Sequence, residues 1–256
     1  ALELFRAAGE RRGAANALNN LGILAWYAGD YARAADLHGE ALALFRELED
    51  RDGIATSLNA LGNVVHHRGD YPRAAALHGE SVELYRDLRD NHSRAIAAIS
   101  LGMAVFEGGD RTRAAAIYAE TLALCRELGF QEGIAACLNN LGDAARVAGD
   151  GARALAQYQE SLALYREMEN QRGIAVSLRN LGLLARDRGD LAEAANLAAE
   201  ALRMRAALGD RDGIAEGLED LAALAADRPE RALRLFAAAD RLRTAIDAPI
   251  RASERA

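Results

Sequence analysis

Lysine is absent from this chain: all 31 basic residues among its 256 are arginine. A Walker-type phosphate loop needs a lysine, so no such nucleotide site can form here. Aromatic residues make up only 5%, and alanine dominates the apolar half, so helices can pack closely. The two cysteines, Cys125 and Cys137, sit singly inside helical patterns. That usage reads as buried free thiols in a reducing compartment, not a disulfide framework. No apolar run approaches membrane-spanning length and no signal-peptide pattern is present. The expectation is a cytoplasmic protein with no membrane contact. A basic stripe is missing too: the net charge is −7 and the pI near 5.4, which argues against direct nucleic-acid binding. The G-x-S-x-G, H-E-x-x-H and paired C-x-x-C patterns are likewise absent. No catalytic residue, cofactor or metal is expected, and the chain reads as a binding protein.

What is present is a repeat. Gly22, Gly62, Gly102, Gly142 and Gly182 each follow a leucine and stand forty residues apart. Asp30, Asp70, Asp110, Asp150 and Asp190 keep the same step, as do Glu40, Glu80, Glu120, Glu160 and Glu200. A fixed period of this length marks an array whose units touch only their neighbours, and such a chain offers a surface rather than a catalytic pocket. The glutamate column reads as a surface or inter-helix pairing position, not as paired catalytic carboxylates.

Each unit reads as two helices. In the second repeat, helix A is expected over 53–68, with Ile54, Leu58, Leu61 and Val65 at helical spacing. Gly69-Asp70 breaks it, and helix B is expected over 71–88, with Ala74, Leu77, Ser81, Leu84 and Leu88 inward. Asp50, Asp90, Asn170 and Asp210 recur before each new helix A as caps. The glycine of each Leu-Gly pair is expected to admit helix B closely. The fold class is therefore all-α, an α-solenoid of antiparallel helix pairs. The period assigns 1–12 to the second helix of a truncated repeat and places five repeats over 13–52, 53–92, 93–132, 133–172 and 173–212. A degenerate sixth repeat with capping helices covers 213–246, and a C-terminal tail covers 247–256. All of this is expected as one continuous array. The opening ALELFRAAGERRG aligns with ALALFRELEDRDG at Ala41–Gly53, which leads to the expectation that the chain is a piece of a longer protein.

The Leu-Gly of helix A, the Gly-Asp-Tyr turns (Gly29-Asp30-Tyr31, Gly69-Asp70-Tyr71), the following Ala34 and Ala74, and then His38, His78, Tyr118 and Tyr158 resemble the tetratricopeptide repeat. The usual repeat has about 34 residues, and here the helices and the link are longer. Leu18, Leu58, Leu138 and Leu178 replace the usual helix A tryptophan. Similar long repeats occur in the kinesin light chain, in spindle-orientation adaptors and in bacterial signalling ATPases. The resemblance implies a right-handed superhelix. The segment 228–256, which leaves the period, resembles the end of the repeat sensor regions of bacterial STAND-type regulators. That resemblance implies an upstream nucleotide-binding switch domain in intramolecular contact with this array.

The family binds ligands on the concave face lined by A helices. Carrying those positions over selects an aromatic end (Trp26, Tyr27, His66, Phe106), amides (Asn19, Asn59, Asn63, Asn139) and a charged end (Asp143, Arg146, Arg179, Arg186). Rings anchor apolar side chains. Amides hold a peptide backbone by donor and acceptor together. Arginines clamp carboxylates. The implied ligand is a protein or peptide with an acidic segment. The competing reading makes Trp26 and Phe106 packing residues and pairs the arginines with Asp143 and Asp187. Two rival functions stand beside the sensor arm. One is a stand-alone scaffold bridging two proteins; the other is self-association through exposed terminal helices, starting from Leu2, Leu4 and Phe5. A metal site at His38, His66, His67 and His78 lacks spaced acidic or cysteine partners and is rejected.

Overall fold

In the computed structural model, residues 2–225 and 227–246 are described, and the tail assigned to 247–256 lies outside them. The chain is helical, with no strand among the described residues, and its helices follow one another in antiparallel pairs. Two compact units divide it, the first ending at Ile117 and the second running from Tyr118 to Ile246.

The first unit opens with the short α1 (Leu2–Ala7). The pairs α2 (Arg11–Tyr27) with α3 (Tyr31–Glu47), and α4 (Arg51–His67) with α5 (Tyr71–Leu88), follow. Then come α6 (Asn91–Glu107) and the start of α7 (Arg111–Leu128). The second unit holds the rest of α7, the pair α8 (Gln131–Val147) with α9 (Gly151–Glu167), and α10 (Gln171–Asp187) with α11 (Leu191–Ala207). It ends with α12 (Arg211–Leu224) and α13 (Pro229–Ile246). The helices expected over 53–68 and 71–88 are thus found as α4 and α5.

Local chemistry sets these boundaries. Asp50 accepts a hydrogen bond from the Gly53 amide at 3.1 Å and Asn170 from Gly173 at 2.9 Å, satisfying donors that the first helical turn leaves open. Asp90 and Asp210 cap α6 and α12 in the same way. Gly69 ends α4 at φ 82° and Asp70 caps α5 through the Arg73 amide at 3.2 Å. The turn from helix B to the next helix A also requires a left-handed residue. Glycine fills it at Gly9, Gly129 and Gly209, but Glu49, Arg89 and Glu169 take it at φ 52–59°.

Packing rests on side chains seated over glycine. A methyl group at Gly22 would stand 2.6 Å from His38 Cε1, and one at Gly62 equally close to His78 Cε1. Tyr158 covers Gly142 in the same manner. A second series closes the joint between successive pairs: Phe5 lies over Gly13, Phe45 over Gly53 and Tyr165 over Gly173. At the fourth joint the helix B residue is Cys125, and Phe130 from the turn fills the space above Gly133 beside it. Phe130 stands where Asp50, Asp90, Asn170 and Asp210 cap their helices, and α8, like α2 behind Glu10, has no side-chain cap. On the outer surface the glutamate column pairs between helices: Arg6 with Glu40 at 3.2 Å, Arg46 with Glu80 at 3.6 Å and Arg126 with Glu160 at 3.8 Å. These exposed pairs are each worth only about 0–1 kcal/mol. The cores of the two units carry the stability, through residues such as Leu58 and Ala74 in the first and Leu178 and Ala201 in the second.

Glycines with and without a neighbour behave oppositely on substitution. Gly79 lies inside α5 with nothing within 4 Å of an added methyl. Gly79→Ala is expected to stabilise by about 0.5–1 kcal/mol through helix propensity. Gly142→Ala drives a methyl into the Tyr158 ring and is expected to destabilise by about 1–3 kcal/mol. Urea unfolding of both variants checks the opposite signs.

Candidate functional site

In the first unit the amide column is tied to the histidines of helix B. Asn19 is buried, with its Oδ1 3.0 Å from His38 Nδ1 and its Nδ2 donating to Ser57 Oγ at 2.9 Å. Asn59 Oδ1 lies 2.8 Å from His78 Nδ1. A carbonyl oxygen only accepts, so Nδ1 of each histidine carries the proton and Nε2 is bare. Nε2 of His78 is buried without a partner. Burial therefore holds both imidazoles neutral and lowers their pKa values to about 4. Asn59 differs from Asn19 in remaining half-buried, with only its oxygen engaged. Asn63, one turn further along α4, is half-buried as well.

The aromatic residues at the ends of α2 and α4 form a string of rings. Trp26 meets Tyr27 edge-on with centroids 5.0 Å apart and meets His67 edge-on at 5.3 Å. His67 stacks on Tyr31 at 5.2 Å and touches His66, which in turn packs against Tyr71 at 5.3 Å. Such contacts add about 0.5–1.5 kcal/mol each beyond area burial. The indole nitrogen of Trp26 is buried without a hydrogen-bond partner, while Tyr27 is exposed. Phe106, on α6, is half-buried outside this string. His67 is the hub of this string. Tyr31, of the first Gly-Asp-Tyr turn, finds its stacking partner in this residue of the next repeat.

In the second unit the polar groups are largely spent on one another. Asn139 is buried and accepts from Asn180 at 3.4 Å. Asp143 accepts a 2.7 Å bond from Tyr158 Oη, whose pKa is raised first by burial and then by that carboxylate. Arg146 donates to Asp187 at 2.8 Å, and Arg186 lies 3.7 Å from the same carboxylate. Arg179 binds Asp220 through Nε at 2.6 Å and Nη2 at 3.2 Å and is 9% exposed. Asn19, Asn139 and Arg179, expected to face a ligand, lie buried in the structure. Both polar atoms of Asn19 and the guanidinium of Arg179 are committed to residues of other helices, and Asn139 accepts through Oδ1. His66 is likewise buried among rings. Tyr27, Asn59, Asn63, Asp143, Arg146 and Arg186 keep partial or full exposure, as do Trp26 and Phe106. Among the described residues no group of three or more His, Cys, Asp or Glu is placed to hold a metal ion, and no helix is long and apolar enough to cross a membrane.

A tetratricopeptide repeat profile matches residues 1–47, 14–87, 53–127, 93–167 and 133–207. The chain belongs to the tetratricopeptide repeat family. None of the curated proteins matches it significantly. Among solved structures, BtubC from P. vanneervenii is 22% identical over 86% of this chain and 93% of its own, with a TM-score of 0.61. A Rap protein complexed with competence and sporulation factor is 16% identical over 90% of this repeat chain and 67% of its own, with a TM-score of 0.71. Aspartyl phosphate phosphatase F from Bacillus subtilis is 11% identical over 97% and 76%, with a TM-score of 0.69. At these identities the likeness is one of fold.

The neutral histidines make this repeat unit acid-sensitive. A folded-state pKa near 4 against about 6.5 unfolded means the unfolded chain binds more protons between those values. Stability is full above about pH 6.5 and falls as pH drops toward 4, by about 2 kcal/mol per histidine between pH 7 and pH 5. Urea titrations at the two pH values measure the drop. His78→Tyr, which installs the residue found at Tyr158, should remove half of the histidine contribution.

Proposed function

We propose that this tetratricopeptide chain is a noncatalytic peptide-binding module and that α4 is the centre of its recognition face. The observation that carries the reading is the pair Asn59 and Asn63. They are two partly exposed carboxamides one turn apart, the first oriented by its bond to His78. A carboxamide offers donor and acceptor together, which suits the backbone of an extended peptide. Tyr27 and Trp26 supply apolar anchoring surface beside them in the same unit. The similar fold of a Rap conjugation gene regulator, solved in complex with the Phr* peptide, supports a peptide as the ligand class.

In the second unit Arg146 and Arg186 share the one carboxylate of Asp187. A ligand carboxylate takes one of them by replacing Asp187, which favours a peptide with an acidic segment. The module serves as the ligand-sensing arm of a larger cytoplasmic bacterial signalling ATPase or transcription regulator, in contact with that protein's switch domain. The support for this context is the segment 228–256 and its resemblance to STAND-type regulators. A stand-alone scaffold is the alternative context. Self-association has one specific observation behind it, the exposure of Leu4 at 75% and Leu24 at 64%.

The test is a display selection of extended peptides against the chain, followed by calorimetry on a selected sequence. Asn63→Ala and Asn59→Ala are each expected to weaken binding by about tenfold, in keeping with the loss of one or two hydrogen bonds. Gly79→Ala, on α5 away from these amides, should leave affinity unchanged. Equal affinity for wild type and both asparagine variants removes α4 from the account.

A further inference from the structure

The last described helix keeps most of its apolar side chains out of the core. Only Ala239, Arg243 and Ile246 of α13 are buried, while Leu233 is 69% and Phe236 is 46% exposed. Phe236 occupies the eighth position of its helix, as His38, His78 and Tyr158 do in α3, α5 and α9. Those three rings sink over glycine, but α12 carries the buried Ala222 at the forty-residue step from Gly182. Without the recess, the ring stays out.

Charge replaces the missing apolar contact. Arg243 grips Glu219 with Nε at 2.6 Å and Nη2 at 2.7 Å, and reaches Asp212 at 3.1 Å. Asp212, Glu216, Glu219 and Asp220 stand at helical spacing along one side of α12. Two further guanidiniums come from the opposite neighbours: Arg205 of α11 meets Glu216 at 2.5 Å, and Arg179 of α10 meets Asp220 at 2.6 Å. Those two stay if α13 leaves. Asp212 and Glu219 then lose the guanidinium of Arg243. A buried ion pair adds little net stability because desolvation offsets attraction, yet its geometry is selective. A helix held this way is readily exchanged for another that brings the same group.

We propose that α13 is an intramolecular lid on an acidic face of α12, and that an arginine-bearing amphipathic helix from a partner displaces it. The incoming arginine takes the place of Arg243 between Glu219 and Asp212. Displacement frees Leu233 and Phe236 together with the rest of α13 to bind elsewhere. This reading is independent of the recognition face on α4.

The probe is a labelled synthetic peptide of residues 229–246, offered to the full chain. Two variants open the lid by different routes. Arg243→Ala removes the clamp, and Ala239→Asp sets a carboxylate against the buried side of α13 while leaving α12 intact. By fluorescence anisotropy, both are expected to bind the peptide at least about tenfold more tightly than wild type does, a difference of about 1.4 kcal/mol. A peptide carrying its own Arg243→Ala should lose that gain. Hydrogen exchange on the wild type should show α13 exchanging at least tenfold faster than α10 and α11. Equal binding by closed and open forms, binding indifferent to the peptide's arginine, or exchange of α13 in step with α11 overturns the proposal. So does loss of the helical circular dichroism of the whole second unit in both variants, since α13 is then part of the core.

Discussion

The contact on which the structure depends is a side chain lying flat on a glycine of the facing helix. It occurs within three of the helix pairs and again at several of the joints between pairs. In the first kind, the missing Cβ of Gly22, Gly62 or Gly142 gives the ring of His38, His78 or Tyr158 its seat. In the second, Phe45 over Gly53 and Tyr165 over Gly173 fix how one pair meets the next. Both are steric, short-range and intolerant of a single methyl. The remaining features of a repeat fit around them. Polar groups behind the rings take the bonds that the ring geometry leaves, as Asn19 and Asn59 do with the two imidazoles.

Much of this was legible in the sequence because it is local or strictly periodic. The Gly-Asp turns, the caps at Asp50, Asp90, Asn170 and Asp210, and the close approach at the Leu-Gly pairs follow from residue types at fixed offsets. The glutamate column was legible as an inter-helix pairing position, and the Arg6–Glu40 and Arg46–Glu80 pairs bear that out. The candidate site was less legible. Asn19 and Arg179 occupy positions where the family meets ligands, but their partners Ser57 and Asp220 lie about one repeat further along. A column read one residue at a time does not show what stands opposite. The pairing of Arg146 with Asp187 was visible only as a competing reading, since both outcomes use the same residues.

The chain handles charge in two distinct ways. On the outer surface arginines meet glutamates in water, where the pairs are exchangeable and weak. Inside the second unit, Arg179, Arg205 and Arg243 are buried and fixed on α12 by planar, directional contacts. With lysine absent, every such contact has the fork geometry of a guanidinium. The first unit instead uses neutral imidazoles and amides in its interior. One repeat design thus supports two interiors of different polarity, and their responses to acid differ accordingly.

Cys125 and Phe130 show how such an array diverges without losing its fold. The small thiol leaves space above Gly133, and the neighbouring turn fills it with a ring where Asp50, Asp90, Asn170 and Asp210 cap their helices. Size given up at one position is recovered five residues later. The two side chains are coupled sterically: an aromatic at 125 would collide with Phe130, and an Asp at 130 would leave the joint hollow. A larger side chain at 125 therefore fits that joint only if 130 changes with it.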